Sequence, residues 1–158
     1  MRRTVVLLDI DGVLVTTPSW RPVEQLADGF LRFNEKAAQN LNHLLEQTKA
    51  EIVLTTSHRI NYSLGEWYEI FKVRGIRPTS IAKVNAAAAI QEVGKRAAEI
   101  EAWVAENGAA NYVIIDDDLT IKGLPEAVEQ RFVATKPMIG LDDDAANEAL
   151  FILRLGAF

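Results

Sequence analysis

The chain is organised around one N-terminal stretch, Thr4-Val5-Val6-Leu7-Leu8-Asp9-Ile10-Asp11-Gly12-Val13-Leu14. The part from Thr4 to Leu8 is apolar and rich in β-branched residues, which is typical of a strand buried on both faces. Two carboxylates, Asp9 and Asp11, follow the strand, and Gly12 then indicates a sharp turn. Asp and Gly are ordinary turn formers, but the carboxyl end of a buried strand is also where open α/β sheets place ligands.

The amino-acid composition indicates a globular protein and excludes some kinds of active site. The 158 residues are 49% hydrophobic and 25% charged, and they predict one globular domain over residues 1–158. The net charge of −5 argues against broad, sequence-blind binding to nucleic acid. There is no cysteine and there are only two histidines, His43 and His58, so a thiolate nucleophile is excluded and a His-rich metal site is hard to build.

The N-terminus superficially resembles a secretory signal because Arg2-Arg3 precedes a short apolar run. The run is interrupted by Asp9 and Asp11 before it reaches the length of a signal peptide. No stretch approaches the about 20 apolar residues of a membrane span. We therefore expect a cytoplasmic protein without a membrane partner.

Strand-like and helical segments alternate along the rest of the chain. Apolar runs predict strands over residues 50–56, 112–115 and 131–135, and a weak strand over 76–81 that contains Pro78. A helical period predicts helices over residues 34–49, 64–74, 86–107 and 142–154, and prolines in 16–29 predict a loop or small flap. This alternation predicts a parallel sheet covered on both faces by helices.

Three of the predicted strands end in polar residues that can carry chemistry. The first ends in Asp9 and Asp11, and the others end in Thr55-Thr56-Ser57 and in Asp116-Asp117-Asp118. Because the carboxyl ends of parallel strands meet at one edge of the sheet, we expect these side chains to lie close together. A second acidic run, Asp142-Asp143-Asp144, stands at a helix start, where it complements the helix dipole and is interpreted as structural.

This order of strand ends resembles the haloacid dehalogenase-like (HAD) superfamily of phosphohydrolases. The first motif of the superfamily, Asp-x-Asp-x-(Thr/Val), corresponds to Asp9-Ile10-Asp11-Gly12-Val13. Its second motif is a Thr or Ser that ends the next strand. Thr56 fits that motif best, and Ser57 is the close alternative.

The two remaining motifs of the superfamily also have counterparts. The third is a Lys or Arg ahead of the fourth strand; Lys95 fits it, and Arg96 is the alternative. The fourth is an acidic pair after a strand, and Asp116-Asp117 fits it. The resemblance therefore spans nearly the whole chain.

Within the superfamily, the chain is more similar to the HAD domains of Swiss Army Knife RNA-repair proteins. The similarity lies in Ser57-His58-Arg59, in residues 99–104, and in residues 132–135 leading to Gly140-Leu141. A Trp often stands in that group where this chain has His58.

The resemblance implies a three-layer α/β/α Rossmann-like fold with a five-strand parallel sheet in the order 5-4-1-2-3 and minimal or no cap. It also implies a phosphohydrolase with an aspartyl-phosphate intermediate. In that chemistry Asp9 attacks phosphorus, and Asp11 protonates the leaving group and then activates water. Thr56 hydrogen-bonds a phosphoryl oxygen, and Lys95 balances the charge of the nucleophile.

Acids gathered around a phosphate need a hard cation, and Mg²⁺ suits a shell made of oxygen atoms. The resemblance implies that the ligands come from Asp9, the backbone carbonyl of Asp11, and Asp116 or Asp117. Further candidates for contact with the phosphorylated substrate are Ser57, Arg59 and Gly12.

The identity of the substrate stays open between several alternatives. HAD proteins with little cap tend to act on large substrates, so the resemblance favours nucleotides or RNA-terminal phosphates. A small-metabolite phosphatase that gains its lid by oligomerisation is the second interpretation. A non-catalytic module that binds a phospho-ligand is the third, and the intact pair of Asp9 and Asp11 argues against it.

Overall fold

The computed structural model describes residues 2–17, 22–85 and 95–157. The strands are β1 Thr4–Leu8, β2 Glu51–Leu54, β3 Ile81–Lys83, β4 Asn111–Asp116 and β5 Phe132–Ala134. The helices are α1 Glu35–Thr48, α2 Leu64–Val73, α3 Arg96–Asn107, α4 Glu126–Glu129 and α5 Asp143–Leu155. Two short 3₁₀ helices, Ser57–Asn61 and Leu119–Gly123, follow β2 and β4.

The five strands form one parallel sheet in the order β3-β2-β1-β4-β5. This is the predicted order, and the predicted three-layer α/β fold is confirmed. The central strand β1 pairs on both sides, with Leu8 level with Leu54 of β2 and with Ile115 of β4. The residues that follow these three positions therefore leave the sheet side by side at its carboxyl edge.

The two faces of β1 are buried against different helices because successive side chains of a strand alternate. Val6 and Leu8 belong to a core that includes residues of α1, α2 and α5. Val5 and Leu7 belong to a second core with residues of α3 and α4. This two-sided burial explains why β1 reads as an unbroken apolar run in the sequence.

Local sequence signals set the ends of the first two helices. The side chain of Asn34 accepts a hydrogen bond from the N–H of Ala37 at 3.0 Å, as expected for the predicted N-cap of α1. Helix α2 begins with a reciprocal capping box between Ser63 and Glu66. No helix in the described ranges is both long enough and apolar enough to cross a membrane.

One predicted element differs from the structure. The weak strand predicted over 76–81 is wrong in its bounds, since β3 begins only at Ile81. Pro78 has no N–H to donate to a neighbouring strand, so regular pairing starts after it. The helix predicted over 86–107 is confirmed from Arg96 onward as α3, and residues 86–94 lie outside the described residues.

A small hairpin, residues 24–32, occupies the described part of the predicted flap. Arg74, at the end of α2, forms an ion pair with Asp28 at 2.6 Å and places its guanidinium over the rings of Phe30 and Phe33. The hairpin is thereby fixed to the body of the protein. Within the described ranges, the connections between β1 and β4 contain no cap domain.

Candidate active site

Three carboxylates meet at the carboxyl edge of the sheet. Asp9, Asp116 and Asp117 each offer an oxygen within 4.8 Å of the others. Asp9 directly follows β1 and Asp116 ends the adjacent strand β4, so the register of the sheet brings them together. Both are almost fully buried, with exposures of 3% and 0%. The acidic side chains thus meet at the carboxyl edge of the sheet, as the polar residues after the predicted strands indicated.

Within the described part of the chain, Arg96 neutralises some of this negative charge. Nη1 of Arg96 lies 3.2 Å from Oδ1 of Asp9 and 2.7 Å from Oδ2 of Asp116. Lys95, the preferred residue for this role in the sequence analysis, is instead the exposed N-cap residue of α3. Consecutive helical residues point in different directions, so only one of the pair can face the acids. Of the two candidates, Arg96 is therefore the one that the structure places against the acids.

Two of the acids, Asp9 and Asp117, have a pKa above that of an ordinary aspartate. Burial, and then the charge of Asp116, raise the pKa of Asp9 to about 8, although Arg96 acts in the opposite direction. Burial and Asp116 also raise the pKa of Asp117. Burial lowers the pKa of Arg96, but the charges of Asp9 and Asp116 outweigh this effect and leave it above its usual value.

This donor set fits a hard divalent cation. Carboxylate oxygens are the preferred ligands of Mg²⁺, and a bound cation would offset the repulsion between Asp9 and Asp116. Arg96 supplies one positive charge to three acids, so the cluster keeps a negative excess when all are ionised. Asp9, Asp116 and Asp117 are therefore the residues that would hold Mg²⁺.

The raised pKa of Asp9 predicts a pH-dependent stability in the absence of metal. Between its ordinary pKa of 3.8 and its folded value of about 8, the unfolded chain releases a proton that the folded protein keeps. The free energy of unfolding should therefore fall as pH rises through this range. Asp9→Asn should remove that part of the slope. Melting temperatures measured in EDTA at pH 5 and pH 7.5 would check this, and equal slopes for both proteins would contradict it.

The second acid of the first motif points away from the cluster. Oδ2 of Asp11 lies 2.9 Å from Nε2 of His58, and the Asp11 side chain is 56% exposed. This hydrogen bond raises the pKa of His58. The predicted role of Asp11 in metal binding concerned its backbone carbonyl and stays a prediction. Its carboxylate is more than half exposed and does not belong to the cluster of Asp9, Asp116 and Asp117.

The hydroxyl groups after β2 differ in their surroundings. The side chain of Thr56 caps the following 3₁₀ helix and accepts from the N–H of His58, while Ser57 is exposed. Thr55 is fully buried, and its Oγ1 has no hydrogen-bond partner among the described residues. Because Leu8 pairs with Leu54, Thr55 lies beside Asp9 on the same face of the sheet. Thr55, rather than Thr56 or Ser57, therefore offers the unpaired hydroxyl next to Asp9.

Arg59, expected to contact substrate, faces the interior and is only 1% exposed. Its Nη1 donates to the carbonyls of Thr55 and Thr56, and its Nε donates to that of Val84 at 2.9 Å. Its Nη2 forms an ion pair with the buried carboxylate of Glu99. These donors hold the loop after β2, so the structure gives Arg59 a structural role, and contact with substrate stays a prediction.

Gly12 allows the turn after Asp11 to close on the acid cluster. Its φ is +78°, and a Cβ at this position would collide with Oδ2 of Asp117. Its N–H donates to the carbonyl of Val15 at 2.8 Å, and its own carbonyl accepts from Thr135 at 2.7 Å. The structure thus gives Gly12 a conformational role, and contact with substrate stays a prediction.

Gly12→Ala should therefore weaken Mg²⁺ binding as well as stability, because the added methyl group displaces a carboxylate of the cluster. Gly29→Ala is the matched control, since Gly29 has a similar φ of +85° but open space around it. Each substitution should cost about 1 kcal/mol or more through backbone strain. Only Gly12→Ala should raise the Mg²⁺ concentration needed for half-maximal binding. An equal response of the two variants would contradict the collision.

Most of the chain matches the model of a known protein family. The model of the family described as the HAD domain in Swiss Army Knife RNA repair proteins matches residues 5–146. The chain belongs to this family. Membership indicates a phosphohydrolase type of function for this HAD domain. No curated protein gave a significant match.

Two features of the HAD domain were missed in the sequence. Thr55 was grouped with its neighbours as a strand-end hydroxyl, and only the register of β1 and β2 singles it out. The partnership of His58 with Asp11 joins residues 47 positions apart, and no local pattern indicates it. Both features depend on the tertiary structure, because the alignment of the strands, and not the local sequence, brings these residues together.

Proposed function

We propose that this HAD domain is a Mg²⁺-dependent phosphomonoesterase that uses Asp9 as its nucleophile. The observation that carries the proposal is the placement of Asp9, buried at the carboxyl end of β1 and in contact with Arg96. The ion pair holds the carboxylate in one orientation and offers positive charge where a phosphoryl group would approach. A solvated turn aspartate would have neither feature.

The reaction proceeds in two steps. An oxygen of Asp9 attacks phosphorus, the bond from phosphorus to the ester oxygen breaks, and Asp11 gives its proton to the departing oxygen. Water then attacks the aspartyl-phosphate, Asp11 takes a proton from this water, and the bond to Asp9 breaks to release inorganic phosphate. The outward orientation of the Asp11 carboxylate supports this division of roles.

The remaining residues bind and orient the phosphoryl group. Mg²⁺, when bound by Asp9, Asp116 and Asp117, would supply positive charge that offsets repulsion between the acids and the phosphate. The buried hydroxyl of Thr55 would donate to a phosphoryl oxygen, which would satisfy a group that has no partner among the described residues. Arg96 would serve the orienting role that the resemblance gave to a lysine.

The proposed substrates are nucleotides or RNA-terminal phosphates. The absence of a cap domain in the described ranges and the exposed side chain of Asp11 support a site that a large substrate can enter. The family description, which names RNA repair proteins, supports the same substrate class. A small-metabolite phosphatase remains the alternative if a second copy covers the site.

The test begins with hydrolysis of p-nitrophenyl phosphate in the presence of Mg²⁺ and of EDTA. It continues with a panel of mononucleotides, sugar phosphates and RNA oligomers that carry a 5′- or 3′-terminal phosphate. We expect metal-dependent release of phosphate and the highest kcat/KM on nucleotide or RNA ends. Faster hydrolysis of sugar phosphates would favour the small-metabolite alternative, and phosphate binding without turnover would favour a binding module.

A further inference from the structure

His58 is in direct contact with the proposed general acid. Its Nε2 lies 2.9 Å from Oδ2 of Asp11, and the histidine side chain is 29% exposed. Among the described residues, the hydrogen bonds of the Asp11 carboxylate involve His58 alone. An exposed aspartate would otherwise sample several rotamers, so this contact selects one of them.

The imidazole of His58 is itself held in place. Its ring packs edge-to-face against Phe30, with centroids 5.3 Å apart and an interplanar angle of 87°. Phe30 is buried at 3% exposure and contacts Trp67 in the same manner at 5.4 Å. The backbone N–H of His58 donates to Thr56 at 3.3 Å, which fixes the start of the 3₁₀ helix.

The hairpin of residues 24–32 also helps to hold His58 in place. Phe30 belongs to residues 24–32, and Arg74 ties that hairpin to α2 through Asp28 and through contact with the ring of Phe30. A continuous series of contacts therefore runs from α2 through the hairpin and His58 to Asp11. Rigid support of this kind is what a proton donor needs, because a displacement of about 1 Å can cost about a hundredfold in rate.

We propose that His58 is a positioning residue that holds one oxygen of Asp11 so that the other faces the leaving-group oxygen. The inference rests on the proposed function. Loss of His58 should therefore slow some substrates more than others, because protonation matters most when the leaving group is a poor one. A leaving group such as p-nitrophenolate departs with little help from an acid, whereas a phenolate without the nitro group needs it.

The experiment compares His58→Phe with the wild-type protein on substituted phenyl phosphates that differ in leaving-group basicity. Phe keeps the ring packing against Phe30 but cannot hydrogen-bond Asp11. We expect kcat/KM to fall about 10- to 100-fold on phenyl phosphate and about threefold or less on p-nitrophenyl phosphate. His58→Gln, which retains a donor, should recover part of the loss, and His43→Phe on the exposed face of α1 is the matched control.

The outcomes separate this inference from the proposed function. Equal losses on all esters, or no loss, would overturn the role of His58 while the phosphatase assignment stands. In the double variant with Asp11→Asn, the loss from His58→Phe should vanish because its target is gone. Additive losses would overturn the inference as well. No hydrolysis of any ester by the wild-type protein would overturn the proposed function, and the role of His58 with it.

Discussion

Asp9→Asn is expected to lower phosphate ester hydrolysis by about a thousandfold or more, because the nucleophile itself is removed. An amide oxygen is a poor nucleophile and carries no charge to be oriented by Arg96. The substitution keeps the shape of the buried side chain, so the fold should be retained. Steady-state assays with Mg²⁺ on p-nitrophenyl phosphate give the rate, and circular dichroism checks the fold.

Asp9→Asn should also change the stability of the metal-free protein, and this effect can be measured independently of the loss of activity. Since Asp9 faces Asp116 in a buried site, Asn should stabilise the metal-free protein at pH 7.5. Each kcal/mol gained would raise the melting temperature by about 2 to 4 °C. Asp144→Asn, on the exposed first turn of α5, is the control: it should leave turnover unchanged and should lower the melting temperature slightly, because it removes a charge that complements the helix dipole. A folded Asp9→Asn protein with near wild-type turnover would refute the nucleophile assignment.

Arg96→Met should produce the second large effect. The substitution leaves Asp9 and Asp116 buried without their cation, and loss of one partner of such a buried group costs about 3 kcal/mol or more. We also expect kcat to fall about a hundredfold or more, since an oriented positive charge is lost from the site. Urea unfolding in EDTA and steady-state kinetics with Mg²⁺ measure the two effects.

Lys95→Met is the matched control for this prediction. It removes the same charge one residue earlier, at the exposed N-cap of α3. Its effect on stability should stay within about 0.5 kcal/mol, and its kcat should match that of the wild-type protein. If Lys95→Met impaired turnover and Arg96→Met did not, the assignment made from the geometry would be reversed.

Much of the fold was predictable because its signals are local. The apolar run of Thr4–Leu8 carries the signature of a strand covered on both faces, and Asn34 is a helix cap by its chemistry. The buried residues of α2, which are Trp67, Ile70 and Phe71, have the spacing of one helix face, and this local pattern predicted a helix over residues 64–74. The resemblance to a known superfamily supplied the strand order, which periodicity does not contain.

The parts of the site that the sequence left open concern neighbouring residues. Arg59 was taken for a substrate ligand because it follows a motif, but the chain turns there and directs its guanidinium inward. Lys95 and Arg96 are adjacent cations of equal charge, so the motif alone could not distinguish them. Composition cannot decide such cases, because both candidates satisfy the same pattern.

By itself, the sequence determined the class of fold, the edge of the sheet that carries the site, and the acids gathered there. Only the tertiary structure decided which of two adjacent side chains faces those acids and which hydroxyl is left unpaired. It also decided that His58 reaches Asp11. The physical reason is geometric: one step along a strand reverses the face, and one step along a helix turns the side chain by about 100°. Strand register and helix phase are set by packing of the whole chain.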